Sequence, residues 1–228
     1  MIFYEPVPLE LHDELLGKNF NEIFTQEMSE FYAPFLKPNR KLTLSKECWE
    51  YAVADAIPNG EWAGAGKSVI DVVAGDISID VKGLSCNNYT GETTEASILQ
   101  NHQSKHDNTY MVFFEQSNFE GLYDIYVQSL LDKMKDIDNM YLFCATRQKK
   151  SLEVFYSLLK VVPSQLTKRE FIACMHRHKD RSVNVPLINP KYGRTYIYMP
   201  KRRLEIRLQM SGINPEFMKY SHTLPKNY

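Results

Sequence analysis

Residues 69–82 read VIDVVAGDISIDVK, two β-branched runs that meet at Gly75-Asp76. Gly-Asp is a two-residue hairpin loop in which glycine supplies the positive φ that such a tight turn requires. With that loop fixed, Ala74 pairs with Ile77, Val72 with Ile79 and Ile70 with Val81, and every member of this face is apolar. A side-chain period of two sends Val69, Asp71, Val73, Ser78, Asp80 and Lys82 to the opposite face. The spacing therefore predicts one face made for a core and another that sets Asp71 across from Asp80, where like charges repel.

The same region carries a second motif, Gly66-Lys67-Ser68, which looks like the end of a phosphate-binding loop. Such a loop needs a glycine five positions before Gly66 and a helix after the serine. Glu61 stands at the first place, and Val69, Ile70, Val72 and Val73 favour a strand at the second. No nucleotide cofactor is expected on these grounds. The opposed acids, by contrast, call for a compensating cation. Lys82, on their own face, is one, and a hard divalent ion such as Mg²⁺ is another, since such ions bind through one or two carboxylates and substrate phosphate oxygens. The remaining reading of this face is a solvated acidic surface neutralised by Lys82.

Asp71, followed on the next strand by Asp80-Val81-Lys82, resembles the PD-(D/E)xK nuclease superfamily, to which most type II restriction endonucleases belong; Ile70 stands where the motif's name has proline. The resemblance implies an α/β fold, a restriction-endonuclease-like mixed sheet flanked by helices, with one helix before the catalytic hairpin and another after it. It implies one or two Mg²⁺ ions held by Asp71, Asp80 and the main-chain carbonyl of Val81, with Lys82 orienting the attacking water. An acid from the preceding helix often joins such sites, and Glu50 is the candidate here, with Glu47 behind it. The implied substrate is double-stranded DNA, cut at a short specific site by a homodimer that matches the twofold symmetry of such sites. Two alternatives stay open: a structure-specific repair nuclease, and a catalytically silent DNA-binding protein of the same fold.

Charge distribution bears on the substrate more than net charge does. The whole chain of 228 residues carries −1. Residues 1–139 hold 10 Lys and Arg against 23 Asp and Glu, a net −13, whereas residues 140–228 hold 17 against 5, a net +12. A basic final third is what phosphate neutralisation requires, and it offers Arg177, Lys179, Arg181, Arg194, Lys201, Arg202 and Arg203 as DNA-binding candidates. Pairing of the acidic and basic parts within the fold is the competing explanation. The opening residues show neither a basic leader nor a sustained apolar run, so no signal peptide or membrane span is indicated and a cytoplasmic protein is expected. Cys48, Cys86, Cys144 and Cys174 form no CxxC pair. Of the Cys174, His176 and His178 group, only Cys174 and His178 share a helical face, which favours a packing cysteine over zinc.

Along the chain, apolar positions from Leu11 to Phe31 predict one or two amphipathic helices. A further helix is expected from about Ser45 to Ile57, with Trp49, Ala52, Val53 and Ala56 on its buried face. A short helix is expected around Glu95 to Ser104, strands at 109–116 and 140–147, and an ambiguous stretch at 121–135. Thr167 and Glu170 form a capping box for a helix over 168–179. Strand-like runs SVNVPLI, RTYIYMP and RLEIRLQM follow. The expected organisation is a single domain over 1–228: N-terminal helices to about residue 40, a catalytic core over about 41–150, and a basic, β-rich, DNA-contacting part over about 151–228.

Overall fold

The computed structural model describes residues 2–32, 46–64, 70–86, 95–100, 109–128, 132, 137–148, 151–163, 167–175, 182–185, 194–198, 205–209 and 218–224. In chain order the elements are β1 (Ile2–Pro6), α1 (His12–Leu16), α2 (Phe20–Tyr32), α3 (Lys46–Ala56), β2 (Gly60–Trp62), β3 (Val72–Ala74), β4 (Ile77–Cys86), β5 (Glu95–Gln100), α4 (Thr109–Glu115), α5 (Phe119–Leu122), β6 (Met140–Gln148), β7 (Glu153–Pro163), α6 (Lys168–Met175), β8 (Ser182–Val185), β9 (Arg194–Tyr198), β10 (Glu205–Gln209) and β11 (Lys219–Thr223). A single π-helical turn, Tyr123–Val127, follows α5. The fold is mixed α/β, with a seven-stranded mixed sheet flanked by helices. Its strand order is β1-β7-β6-β4-β3-β2, and β11 also pairs with β7. β4 runs parallel to β6, while β2–β3, β3–β4, β6–β7 and β7–β11 are antiparallel. A second, antiparallel sheet has the order β5-β10-β9-β8.

Two compact units emerge, and each is assembled from separated pieces of chain: Glu5–Thr94 with Asp138–Val161 and Ile213–Tyr228, and Met1–Tyr4 with Glu95–Ile137 and Val162–Gly212. Because the chain passes repeatedly between them, no single composition shift marks their boundary.

Period-two alternation builds the core of the first unit. Ile79 and Val81 on β4, Tyr141, Phe143 and Ala145 on β6, and Val154, Tyr156 and Leu158 on β7 are buried together with Phe20, Phe24 and Met28 of α2 and Trp49, Ala52 and Val53 of α3. The predicted apolar face of α3 is thus the one it buries. Leu142, Cys144, Ser157 and Leu159 alternate with these residues and are also buried. Burial on both faces explains why β6 reads as an unbroken apolar run rather than an alternating one.

Several expectations are corrected. Glu95–Gln100 is a strand rather than the start of a helix, because its ladder with β10 supplies the backbone partners. Thr109–Glu115 is a helix rather than a strand; a short run rich in aromatic and apolar residues fits either, and its neighbours decide. The terminal strands β1 and β11 carry no sequence signal strong enough to predict. The capping box is as expected: the Thr167 N–H and Oγ1 both donate to Glu170 Oε2, at 3.0 and 2.9 Å, and the Glu170 N–H donates back to Thr167 Oγ1 at 3.3 Å.

β11 brings one titratable group into the interior. His222 packs edge-on to Phe24 with ring centroids 5.9 Å apart, its Nδ1 lies 2.8 Å from Ser221 Oγ, and its Nε2 has no partner among the described residues. Burial lowers its pKa to about 4. A histidine depressed in the folded state contributes stability that is complete above the unfolded value near 6.5 and is lost as the pH falls from there through about 4. Urea unfolding of the wild type and of His222→Gln at pH 7.5 and 5 checks this: the wild type should lose more stability over that interval than the variant, and parallel losses would reject the assignment.

Candidate active site

The β3–β4 hairpin forms in the expected register. Ala74 pairs with Ile77, Val73 with Ser78 and Val72 with Ile79, and Gly75 turns at φ +59°. The ladder stops at Val72, however, and Asp71 does not face Asp80 as a regular cross-strand pair. It lies in a bend, where its N–H donates to the Ile79 carbonyl at 2.9 Å. Its Oδ2 accepts the Val81 N–H at 2.8 Å. The side chain thus takes the donor that a continuing strand would have used. The candidate ligand Val81 has a visible part here through its N–H, which fixes the Asp71 carboxylate.

Neither acid lies on a solvated surface. Asp71 is buried, and Asp80, on the central strand β4, keeps 2% of its surface. Asp80 Oδ1 is ion-paired with Lys82 Nζ, whereas Asp80 Oδ2 has no hydrogen-bond partner among the described residues. Burial raises the Asp80 carboxyl to about 7; the Lys82 ammonium pulls it down, and the neighbouring Asp71 charge adds to the rise. Two like carboxylates and one ammonium, mostly withdrawn from water, form a site in which a second cation or a proton completes the charge balance. On the same face, burial raises the Cys144 thiol well above its usual range, so this cysteine is a neutral packing group and not a nucleophile.

The preceding helix completes the constellation. Glu50, on the buried side of α3, accepts from Trp62 Nε1 at 3.0 Å. Its other oxygen lies 2.6 Å from Lys46 Nζ, and that same ammonium stands 3.3 Å from Asp71 Oδ1. Glu47 lies on the exposed side of the helix, so burial selects Glu50 over Glu47 as the helix acid of the site. Lys46 is the residue that sequence reasoning missed. Its signal was the Lys-to-Glu spacing of four at the start of α3, which puts both side chains on one helical face. Among the described residues, no three His, Cys, Asp or Glu side chains converge as a metal centre; Glu50 therefore joins the acidic pair through Lys46.

The strand β4 approaches α3 closely just past Lys82. A methyl group at Gly83 would overlap the Trp49 indole, so only glycine lets the helix lie against the strand that carries Asp80 and Lys82. Gly83→Ala is expected to cost about 1–3 kcal/mol, as overpacking does; chemical denaturation measures it, and an unchanged midpoint would show that the indole can move aside freely.

Arg194 opens β9, in register with Gln209. The other DNA-binding candidates, Arg177, Lys179, Arg181, Lys201, Arg202 and Arg203, lie outside the described residues, as do Gly66-Lys67-Ser68, His176 and His178. No helix among the described residues is long and apolar enough to cross a membrane. Compared with protein-family models, with curated proteins and with solved structures, the chain gives no match in any of the three.

Proposed function

We propose that the chain is a Mg²⁺-dependent endonuclease of the type II restriction kind, hydrolysing double-stranded DNA at a short specific site as a homodimer, with a restriction-endonuclease-like sheet of the PD-(D/E)xK superfamily as its core. The observation that carries this reading is the buried, unpartnered Asp80 Oδ2 beside Asp71 and Lys82. A solvated acidic face would leave no such atom, because water would satisfy it. The order of helix α3, hairpin β3–β4 and parallel strand β6 supports the same reading, since Asp80 and Lys82 then stand on an inner strand of a mixed sheet with Asp71 in the bend just before β3.

The residues fit a hard cation. Asp71 and Asp80 would hold it, with water and phosphate oxygens in the remaining positions, the usual arrangement for Mg²⁺. When bound, the ion supplies charge neutralisation at the scissile phosphate and activation of water. The chain does the rest. The Val81 N–H holds Asp71 in place, the close approach of Gly83 to the Trp49 indole fixes the strand against α3, and Lys82 offers an ammonium where negative charge gathers on the phosphate oxygens. The basic final third is assigned to the phosphate backbone of the duplex.

Digestion of a long DNA of mixed sequence with Mg²⁺, and in parallel with EDTA, tests the proposal. Discrete bands with Mg²⁺ alone are expected. A smear would replace site-specific cleavage with the repair-type alternative, and intact DNA under all cations would overturn the nuclease reading.

A further inference from the structure

Lys46 occupies an unusual position for a surface lysine. Just over half of its side chain is exposed, 55%, yet its ammonium touches two buried carboxylates, Glu50 at 2.6 Å and Asp71 at 3.3 Å. The two hairpin acids are therefore served unequally. Asp80 Oδ1 has Lys82 and Asp71 Oδ1 has Lys46, while no cation or hydrogen-bond donor among the described residues meets Asp80 Oδ2, beside which the Asp71 carboxylate lies.

A lysine on a flexible four-carbon stem is a replaceable cation, because its ammonium can return to water at small cost when another positive charge arrives. Its stem here starts from the first residue of α3, and most of it already reaches solvent. Glu50 would not be stranded by that departure, since Trp62 Nε1 still donates to its Oε2 at 3.0 Å.

We infer that Lys46 is a built-in stand-in for the divalent cation: its ammonium holds Asp71 and Glu50 in place in the metal-free protein and leaves Asp71 when a metal ion binds between Asp71 and Asp80. The inference rests on the proposed cation site and adds a positioning residue that competes with the ion. Lys46 thereby keeps the acids pre-arranged at the cost of weakening the metal's affinity. Two positive charges on one carboxylate repel at short range even where solvent screens them.

Mn²⁺ binding to the purified full chain, followed by the loss of the free-ion paramagnetic resonance signal, provides the first test. Lys46→Gln should bind Mn²⁺ about tenfold more tightly than the wild type, a modest figure that allows for screening at a half-exposed group. Lys46→Arg, which keeps the charge, should stay near the wild-type affinity, and Asp80→Asn should bind far more weakly than either. Equal or weaker binding by Lys46→Gln, with the wild type still binding, would overturn the role of Lys46 and leave the cation site standing. Absence of Mn²⁺ binding in the wild type would overturn both.

A second measurement needs no variant, and so stands even if Lys46→Gln does not fold. Acetylation of Lys46 in the wild type by an amine-reactive reagent, quantified by peptide mass spectrometry, should speed up severalfold when Mn²⁺ is added, because a side chain displaced from Asp71 stands further into solvent, where the reagent reaches it. A rate that is unchanged or slower with Mn²⁺ would show that the ion does not displace Lys46.

Discussion

Asp80→Asn is expected to abolish Mg²⁺-dependent DNA cleavage and, in the same molecule, to raise the melting temperature above pH 7. Cleavage should fall by about 10³-fold or more, since several kcal/mol of charge stabilisation in the transition state depend on the ion that Asp80 would hold. The stability gain follows from a separate observation. Burial raises the Asp80 carboxyl from its ordinary value to about 7. Below the ordinary carboxylate range both folded and unfolded chains carry the proton, so the site costs nothing. As the pH rises towards 7 the unfolded chain sheds its proton first, and the folded state bears a growing penalty that is complete above 7. Asparagine removes that penalty, so the gain should be several degrees at pH 8 and smaller at pH 5. Asp71→Asn should match the loss of cleavage while keeping an oxygen to accept the Val81 N–H. Scanning calorimetry at the two pH values and a cleavage time course read both arms. Full cleavage by either variant would remove the acids from the chemistry, and a lower melting temperature for Asp80→Asn at pH 8 would show that its charge stabilises the fold.

Phe143→Ala should act in the opposite sense, with a loss of about 3–5 kcal/mol. Phe143 is fully buried on β6. Its ring lies 5.6 Å from those of Phe20 and Phe24 on α2 and 5.1 Å from that of Tyr156 on β7, measured between centroids. These four rings join the helix to the centre of the sheet, and their mutual packing prevents the cavity from closing after truncation. The melting temperature should fall by roughly 10 °C or more for a chain of this size. Urea denaturation should show a lower midpoint with an unchanged slope. A loss below about 1 kcal/mol would mean that the site collapses freely and is not the centre of the core. The contrast between the two variants matters: a core residue stabilises the fold, whereas a buried, incompletely paired acid is tolerated at a cost that only a function explains.

The parts of this protein legible from sequence are those in which neighbouring residues settle the outcome. The β3–β4 hairpin is one, because Gly75-Asp76 fixes the turn and a period of two then fixes the register and the apolar face. The buried face of α3 and the reciprocal cap between Thr167 and Glu170 are others, each set within a few residues. The strands β8, β9 and β10 likewise announce themselves through alternation and proline breaks. Asp71, Asp80 and Lys82 could be singled out because their face broke the rule that the other face obeyed.

Tertiary structure decided what those periods leave open, namely which partner each face meets. Glu95–Gln100 becomes a strand because β10, far along the chain, completes its hydrogen bonds, and Thr109–Glu115 becomes a helix although its composition suits either state. The termini are strands because β7 offers them an edge. At the site, the sequence placed two carboxylates near one another, but only the assembled sheet buried Asp80, bent Asp71 out of the ladder onto the Val81 N–H, and brought Lys46 of α3 to bridge Asp71 and Glu50. Alternation along one strand specifies direction. Burial and charge pairing depend on what another element brings to that side, and that information is distributed over residues remote in sequence.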